Sequence, residues 1–336
     1  MAQQDRDLAA FDAQMAEERK LFFPRPRQSP SAGCTVYGTE NAGKADKCAG
    51  CSKKGTCSSG GAAGPDPTAE EIAKRMASVE HKILVLSGKG GVGKSMVSAQ
   101  LAYALAARGF IVGLLDIDIC GPTVPKMMGK RREGVMRGPE GLAPVEVTDR
   151  LTAMSIGFLV EDENEAVIWR GPRKIGLIQT FLKDVAWGVL DFLIVDTPPG
   201  TSDEHLSTVQ LLKATGIDGA VVVTSPQDVS VVEVGKEINF CERMGVKVLG
   251  VVENFADFCC PLCSGVTTIW PSTSGGGRML AEKHNVPFLG SVPLDPKLAR
   301  QGDAGEAMDE SSAAGKVIYS VADHVATSVN AFTGPI

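Results

Sequence analysis

Residues 82–116, KILVLSGKGGVGKSMVSAQLAYALAARGFIVGLLD, bound the fold more tightly than any other part of the chain. An apolar run of strand length is followed by a glycine-rich turn, a helical stretch and a second apolar run. Strands that are apolar on both faces must be covered on both faces, and a helix that joins two of them is the crossover of a parallel sheet. The alternation continues with LDFLIVD, GAVVVTS, VKVLGVV and PFLGSVP, each separated from the last by a longer segment. The expected fold is therefore α/β, a doubly wound, mostly parallel sheet with helices on both faces. No internal repeat is present. Residues 129–170, rich in glycines and acids, read as an insertion of short strands and loops.

The first 64 residues have a different character. Residues 7–23 (DLAAFDAQMAEERKLFF) carry apolar positions at helical spacing, ended by the prolines of PRPRQSP. Residues 28–64 are rich in Gly, Ser and Lys, and their only large apolar side chains are Val36 and Tyr37. Burying both supplies roughly 3–6 kcal/mol, whereas ordering the backbone costs about 1–2 kcal/mol per residue. Hydrophobic burial alone cannot fold this segment, so either it is a linker or cross-links order it. Thr68 followed by Glu71 has the form of a capping box opening a helix that runs to about Val79. The expected organisation is a helical tail over 1–27, a cysteine-rich module over 28–64 and one α/β domain over 65–336.

A chain of 336 residues that is 43% hydrophobic and 22% charged can bury a core of that kind. Its net charge of -6 argues against a polyanion as main partner, since nucleic-acid binders present a basic face. No run of about 18 apolar residues suggests a membrane span. The first 20 residues resemble neither a signal peptide nor a transit peptide. The expected compartment is the cytosol, with the nucleus as a further location. Nine cysteines in a reducing compartment read as metal ligands or buried thiols, not as disulfides.

The glycine turn is the strongest local signal. VLSGKGGVGKS fits G-x-x-x-x-G-K-[ST] at a strand-to-helix junction, where backbone N–H groups and the helix N-terminus gather around phosphate oxygens. The expected nucleotide-binding residues are Gly88, Lys89, Gly90, Gly91, Val92, Gly93, Lys94, Ser95 and Met96, with Lys94 on the terminal phosphates and Ser95 on Mg²⁺. DFLIVDTPPG places Asp196 at a strand's C-terminal end, the usual ligand edge of such a sheet, as a second group for Mg²⁺. LLDIDICGP brings Asp116 and Asp118 to the same edge, and Asp118, farther into the loop, is chosen to orient an attacking water.

Four cysteines, Cys34, Cys48, Cys51 and Cys57, stand as C-x₁₃-C-x₂-C-x₅-C in the coreless module. Four thiolates complete a tetrahedral set, which by its chemistry suits either Zn²⁺ or a [4Fe–4S] cluster. A second group, CCPLC, puts Cys260 and Cys263 after the strand VKVLGVV, on a loop at the ligand edge. Two thiolates leave a four-ligand site half filled, and a two-fold dimer would supply the other two. Cys259 is not counted as a ligand, Cys120 and Cys241 read as structural, and His81, His205, His284 and His324 lack metal-ligand spacing.

The extra lysine in KGGVGK, Lys89, resembles that of the deviant Walker A, or SIMIBI/MinD-like, ATPases. SGKGGVGKS, DIDICGP, WRGPRKIGLIQ, DTPPGTSDEHL, SPQDV and VVENFADFCCPLC narrow the resemblance to the Mrp/NBP branch of cytosolic iron-sulfur scaffold ATPases, with the N-terminal four-cysteine module of the larger subunit. That resemblance implies an ATP- and Mg²⁺-dependent ATPase with Lys89, Lys94 and Asp118 as its catalytic residues. Lys89 would act across a dimer interface on the partner's nucleotide, and Asn254 would recognise the adenine. It implies one [4Fe–4S] cluster on Cys34, Cys48, Cys51 and Cys57, and a second shared across the dimer by Cys260 and Cys263. The implied role is assembly of clusters and their transfer to apo-proteins. Implied partners are an identical chain or a shorter paralogue, with acceptor proteins and targeting factors. The family usually has a hydroxyl residue where this chain has Met96, which puts nucleotide affinity in question. The alternatives are a positioning ATPase working on DNA or membrane, an ATP-driven iron-sulfur reductase, and a zinc-stapled ATPase.

Overall fold

The computed structural model describes residues 67–160, 171–201, 203–260, 263, 265–270 and 274–331. The helix expected over 7–23 and the four-cysteine module lie outside the described residues.

In chain order the elements that build the site are α1 (Pro67–Met76), β1 (Val79–Leu86), α2 (Lys94–Ala107), β2 (Val112–Asp116) and α3 (Val124–Met127). The short strands β3 (Arg137–Gly138), β4 (Gly141–Leu142), β5 (Val145–Thr148) and β6 (Leu151–Met154) follow, then α4 (Gly171–Lys183), β7 (Leu190–Asp196), α5 (Asp203–Leu212) and β8 (Gly219–Thr224). The last part holds α6 (Asp228–Met244), β9 (Val248–Cys259), β10 (Val266–Thr268), α7 (Gly276–Lys283), β11 (Phe288–Leu294), α8 (Pro296–Ala304) and α9 (Ala313–Ser328).

The main sheet runs β10-β9-β8-β1-β7-β2-β6-β5, with β11 on the other side of β9. All its pairings are parallel except those of β5 with β6 and β10 with β9. Non-consecutive neighbours mean that each parallel step needs a crossover, which the helices supply. The expected doubly wound sheet is thus the fold. Ile83, Leu84, Val85 and Leu86 of β1 and Phe192, Leu193, Ile194 and Val195 of β7 are all fully buried or nearly so. Each such side chain stabilises by about 1.5–3 kcal/mol, which is why these two central strands read as unbroken apolar runs. Helix α2 is buried from Val97 through Leu105 because it is sandwiched between the sheet and α9.

One expectation needs correction. Helix α1 starts at Pro67, so Thr68 sits inside its first turn, and proline at the first helical position suits a residue whose N–H would have no intrahelical acceptor. The described part of the insertion over 129–170 holds short strands as expected, and two of them join the main sheet: β6 pairs in parallel with β2, and β5 closes that edge.

Candidate functional site

Strand register sets the frame of the site. With β7 between β1 and β2, Asp196 lies opposite both Val85 and Asp116, so the glycine loop and the two acidic strand ends meet at one edge. Gly91 and Gly93 have φ of 82° and 79°, the left-handed region that L side chains seldom adopt. Gly93 caps α2 in that conformation, which turns the chain so that Lys94 begins the helix. A Cβ on Gly88 would overlap the backbone of Glu233 and Val234, so the loop rests directly against α6. Lys89, Gly90 and Gly91 at the loop's tip are exposed, and Ser95 and Met96 are partly so.

Lys94 and Asp196 form the centre. Both are buried, and the Lys94 ammonium donates to Asp196 Oδ1 at 2.5 Å and to Ser95 Oγ at 3.3 Å. Ser98 Oγ donates to the same carboxylate oxygen at 2.7 Å. Asp196 Oδ2 is buried without a hydrogen-bond partner among the described residues. An orphaned carboxylate oxygen next to a serine hydroxyl is a donor set of the hard, oxygen-rich kind that suits Mg²⁺. The residues present therefore fit that ion.

Asp116 and Asp118 are not equivalent. Asp116 is buried and accepts from Asp118 N at 2.9 Å, Ser155 Oγ at 3.0 Å and Val124 N at 3.4 Å. Burial, followed by the negative charge of Asp196, pushes its carboxyl up to about 8, against the opposing pull of Lys94. Its bonds hold the turn after β2. Asp118 is only half-buried, which leaves it the more accessible of the two. Its carboxyl is also raised, first by burial, with Lys94 opposing and Asp196 reinforcing the shift.

Asn254 lies beneath the loop. It is fully buried, its Nδ2 donates to Val92 O at 2.9 Å, and a Cβ on Gly93 would collide with that amide and approach the Phe255 ring to 3.1 Å. Beside it opens a cavity of about 300 Å³ lined by Gly90, Val92, Ser225, Phe255, Trp270 and Leu294 among others.

The loop that carries the thiols is the turn of a hairpin. Strand β9 runs on through FADFC to Cys259, past the end of β8, and β10 returns against it with Val266 opposite Cys259. Cys260 N donates to Gly265 O at 2.9 Å, which closes the turn carrying Cys260 and Cys263. Cys263 is exposed and Cys260 partly so. Among the described residues no group of three or more His, Cys, Asp or Glu side chains is arranged to hold a metal ion. Cys241 is buried as expected, but Cys120 is exposed, so it is not a core residue.

Three features of the site escaped sequence reasoning. Ser98 reaches Asp196 from one turn into α2. His205 is buried with Nε2 3.0 Å from Thr197 Oγ1, and burial and then Lys94 lower its pKa to about 4, so it is neutral. Lys174 of α4 pairs with Glu204 of α5 at 2.7 Å. For Lys174, Glu204 and His205 the only signal was membership of the stretches GPRKIG and DTPPGTSDEHL, and Ser98, in KSMVSAQ, carried none.

A parallel sheet whose glycine loop, buried lysine, magnesium-suited acid and serine converge at the carboxyl edge defines a P-loop nucleotide-hydrolase architecture. Residues 78–326 match the family described as ParA: NUBPL iron-transfer P-loop NTPase, and the chain belongs to that family. A nucleotide-binding protein from Archaeoglobus fulgidus, solved with ADP and found to contain cobalt, is 36% identical over 70% of this chain and 91% of its own, with a TM-score of 0.60. The cell-division ATPase MinD of Pyrococcus furiosus shares the fold at 21% identity, covering 74% of this chain and 98% of its own, with a TM-score of 0.51. The MinC:MinD complex of Aquifex aeolicus gives a like match at 20% identity, 76% and 98% coverage and a TM-score of 0.51. No helix among the described residues is long and apolar enough to cross a membrane.

Proposed function

We propose that this chain is an ATP-dependent scaffold of the cytosol that assembles [4Fe–4S] clusters and passes them to apo-proteins. The observation that carries this reading is one strand. Asn254 of β9 holds Val92 of the phosphate loop, and Cys260 lies just past the end of the same strand. Five residues separate the two, at most roughly 20 Å of continuous backbone at about 3.3 Å per step, and less because Phe255, with φ of 57°, interrupts the extended run. A change at the loop on nucleotide binding has a direct route to the hairpin.

In this reading Gly88 to Ser95 cradle the phosphates of ATP, Met96 adds backbone contact, and the base enters the cavity beside Phe255 and Trp270 with Asn254 positioning its floor. Ser95 and the oxygen of Asp196 that lacks a partner would hold Mg²⁺, which would supply neutralisation of phosphate charge. Lys94 leaves Asp196 for the terminal phosphates, and Asp118 orients the water for in-line attack. Lys89, exposed at the loop's tip, acts on the nucleotide of a second subunit, either an identical chain or a shorter paralogue. The same two-fold contact brings two copies of Cys260 and Cys263 together around a cluster that is cargo. Cys34, Cys48, Cys51 and Cys57 hold a second cluster on each chain. Targeting factors and acceptor proteins are the further partners, and neither nucleic acid nor membrane is required.

Anaerobic reconstitution with iron and sulfide, followed by Mössbauer spectroscopy and metal analysis, tests the cargo. The parent should hold [4Fe–4S] iron at both sites, Cys51→Ala should lose the N-terminal share, and Cys263→Ala the shared one. Transfer to an apo-acceptor should accelerate with ATP and lose that acceleration in Lys89→Ala. Uptake of zinc alone, or retention of all iron through ATP turnover, would contradict the scaffold reading.

A further inference from the structure

Strand β9 is regular on either side of one break. Up to Asn254 it pairs in parallel with both neighbours, Glu253 lying opposite Thr224 and Asn254 opposite Val292. Pairing resumes at Asp257 and Phe258, which face Thr268 and Thr267 of β10, and the register with β11 has shifted by then, because Phe258 meets Leu294. Phe255 opens the irregular segment with a φ of 57°. The other non-glycine residues with a positive φ among those described are Asn285 and Asn330, a type that tolerates this region, whereas a bulky side chain is strained there. Such strain persists only where the surroundings hold it, and here the phosphate loop does so. Asn254 Nδ2 donates to Val92 O at 2.9 Å, and a Cβ placed on Gly93 would come within 3.1 Å of the Phe255 ring. Two successive residues of β9 thus grip two successive residues of the loop. The ring also borders the 300 Å³ cavity, whose wall includes Trp270, just past the end of β10, so there is space for it to move.

We infer that Phe255 is the hinge of the thiol hairpin: its ring follows the phosphate loop at Gly93, and rotation of its backbone re-aims the hairpin that carries Cys260 and Cys263 when nucleotide occupies the loop. This deepens the proposed function and rests on its reading of the loop as the nucleotide site. Hinges absorb a change of φ and ψ at a few residues between rigid parts. Before the break, β9 is locked in the sheet by β8 and β11; after it, the hairpin is stiffened by β10 and by the bond from Cys260 N to Gly265 O at 2.9 Å. Phe255 and Ala256 lie between, and Ala256 is buried while Phe255 is partly exposed, which leaves Phe255 the freer to turn. A ligand shifts such an equilibrium only through contacts that differ between the two states. The contact of the ring with the loop is that difference, so a residue without the ring disconnects the hairpin from the nucleotide.

The test measures the alkylation rate of Cys263, which is exposed, in the metal-free full chain under anaerobic conditions, by iodoacetamide labelling and peptide mass spectrometry with and without ADP. No cluster is loaded, so the result does not depend on the cargo. Phe255→Gly and Phe255→Asn remove the ring and suit the left-handed backbone, and Phe255→Tyr keeps the ring. Circular dichroism checks folding, and an ADP titration sets the saturating concentration for each variant, so that altered affinity drops out. In the parent and in Phe255→Tyr, saturating ADP should change the rate by about five-fold or more, the low end of ordinary coupling between sites. In Phe255→Gly and Phe255→Asn the change should fall below about two-fold. A parent-like response in either ringless variant overturns the hinge and leaves the scaffold reading standing. A tyrosine variant as unresponsive as the ringless ones overturns it too. So does a response that grows with protein concentration, since burial of the thiols between two copies would then explain it. A parent with no response at all refutes the route from nucleotide to thiols on which the proposed function relies, and the hinge falls with it.

Discussion

Replacing Lys94 by methionine tests the electrostatics of the site before any nucleotide is added. Asp196 is completely buried, one of its oxygens is held by Lys94 and Ser98, and the other has no partner among the described residues. Asp116, also buried, faces it across the strand pair. Removing the ammonium leaves a buried carboxylate without its cation, a change that typically costs about 3–5 kcal/mol. That is a large part of the roughly 5–15 kcal/mol by which a domain is stable. Lys94 is also the charge that opposes the rise of the buried Asp116 carboxyl, so without it the Asp116 titration moves further above that of the unfolded chain. A carboxyl raised in this way carries no penalty below its unfolded pKa and an increasing one as pH rises towards the folded value. The deficit of Lys94→Met should therefore be small at pH 5 and full at pH 8. Asp196→Asn removes the charge yet keeps an oxygen for Ser98, so Lys94→Met/Asp196→Asn should return to within about 1 kcal/mol of the parent. Urea unfolding followed by circular dichroism, without nucleotide or divalent cation, at both pH values measures all four proteins. If Lys94→Met is as stable as the parent at pH 8, the pair does not neutralise Asp196 and the reasoning is wrong. Both Lys94 variants should lack ATP hydrolysis, which makes the stable double variant the better control for cluster transfer.

Two further outcomes follow from single residues. His205 is lowered to about 4 from an ordinary 6.5, so its contribution is complete above pH 6.5 and is lost as pH falls towards 4, a change of roughly 3 kcal/mol at about 1.4 kcal/mol per pKa unit; His205→Gln should flatten the parent's loss of urea midpoint over that range, and parallel curves would remove His205 as the cause. Gly91→Ala and Gly93→Ala share a left-handed backbone penalty of about 1–2 kcal/mol, but only at Gly93 does the new Cβ strike Asn254 and Phe255, while Gly91 has open space. Calorimetric titration with ADP should show at least ten-fold weaker binding in Gly93→Ala than in Gly91→Ala, and equal losses would mean that Asn254 is not held in place by the loop.

The fold was legible because its signals are local. Apolar runs at 82–87, 110–116, 190–196 and 219–225 became β1, β2, β7 and β8, since a strand covered on both faces needs no partner to be recognised. The glycine loop was equally plain, because Gly91 and Gly93 must take a backbone conformation that other residues resist. Strand β9 was read short: FADFC lacks a continuous apolar run, and it is extended only because β10 and β11 pair with it there.

What residue order determined by itself, then, was the series of strands and helices, the phosphate loop and the acidic strand ends. Only the tertiary structure decided how these combine. Lys94 meets Asp196 across 102 residues of chain, Asn254 meets Val92 across 162, and Lys174 of α4 meets Glu204 of α5 across 30. Such meetings depend on which strand lies beside which, and that order is settled by packing the whole sheet, a property no short segment carries.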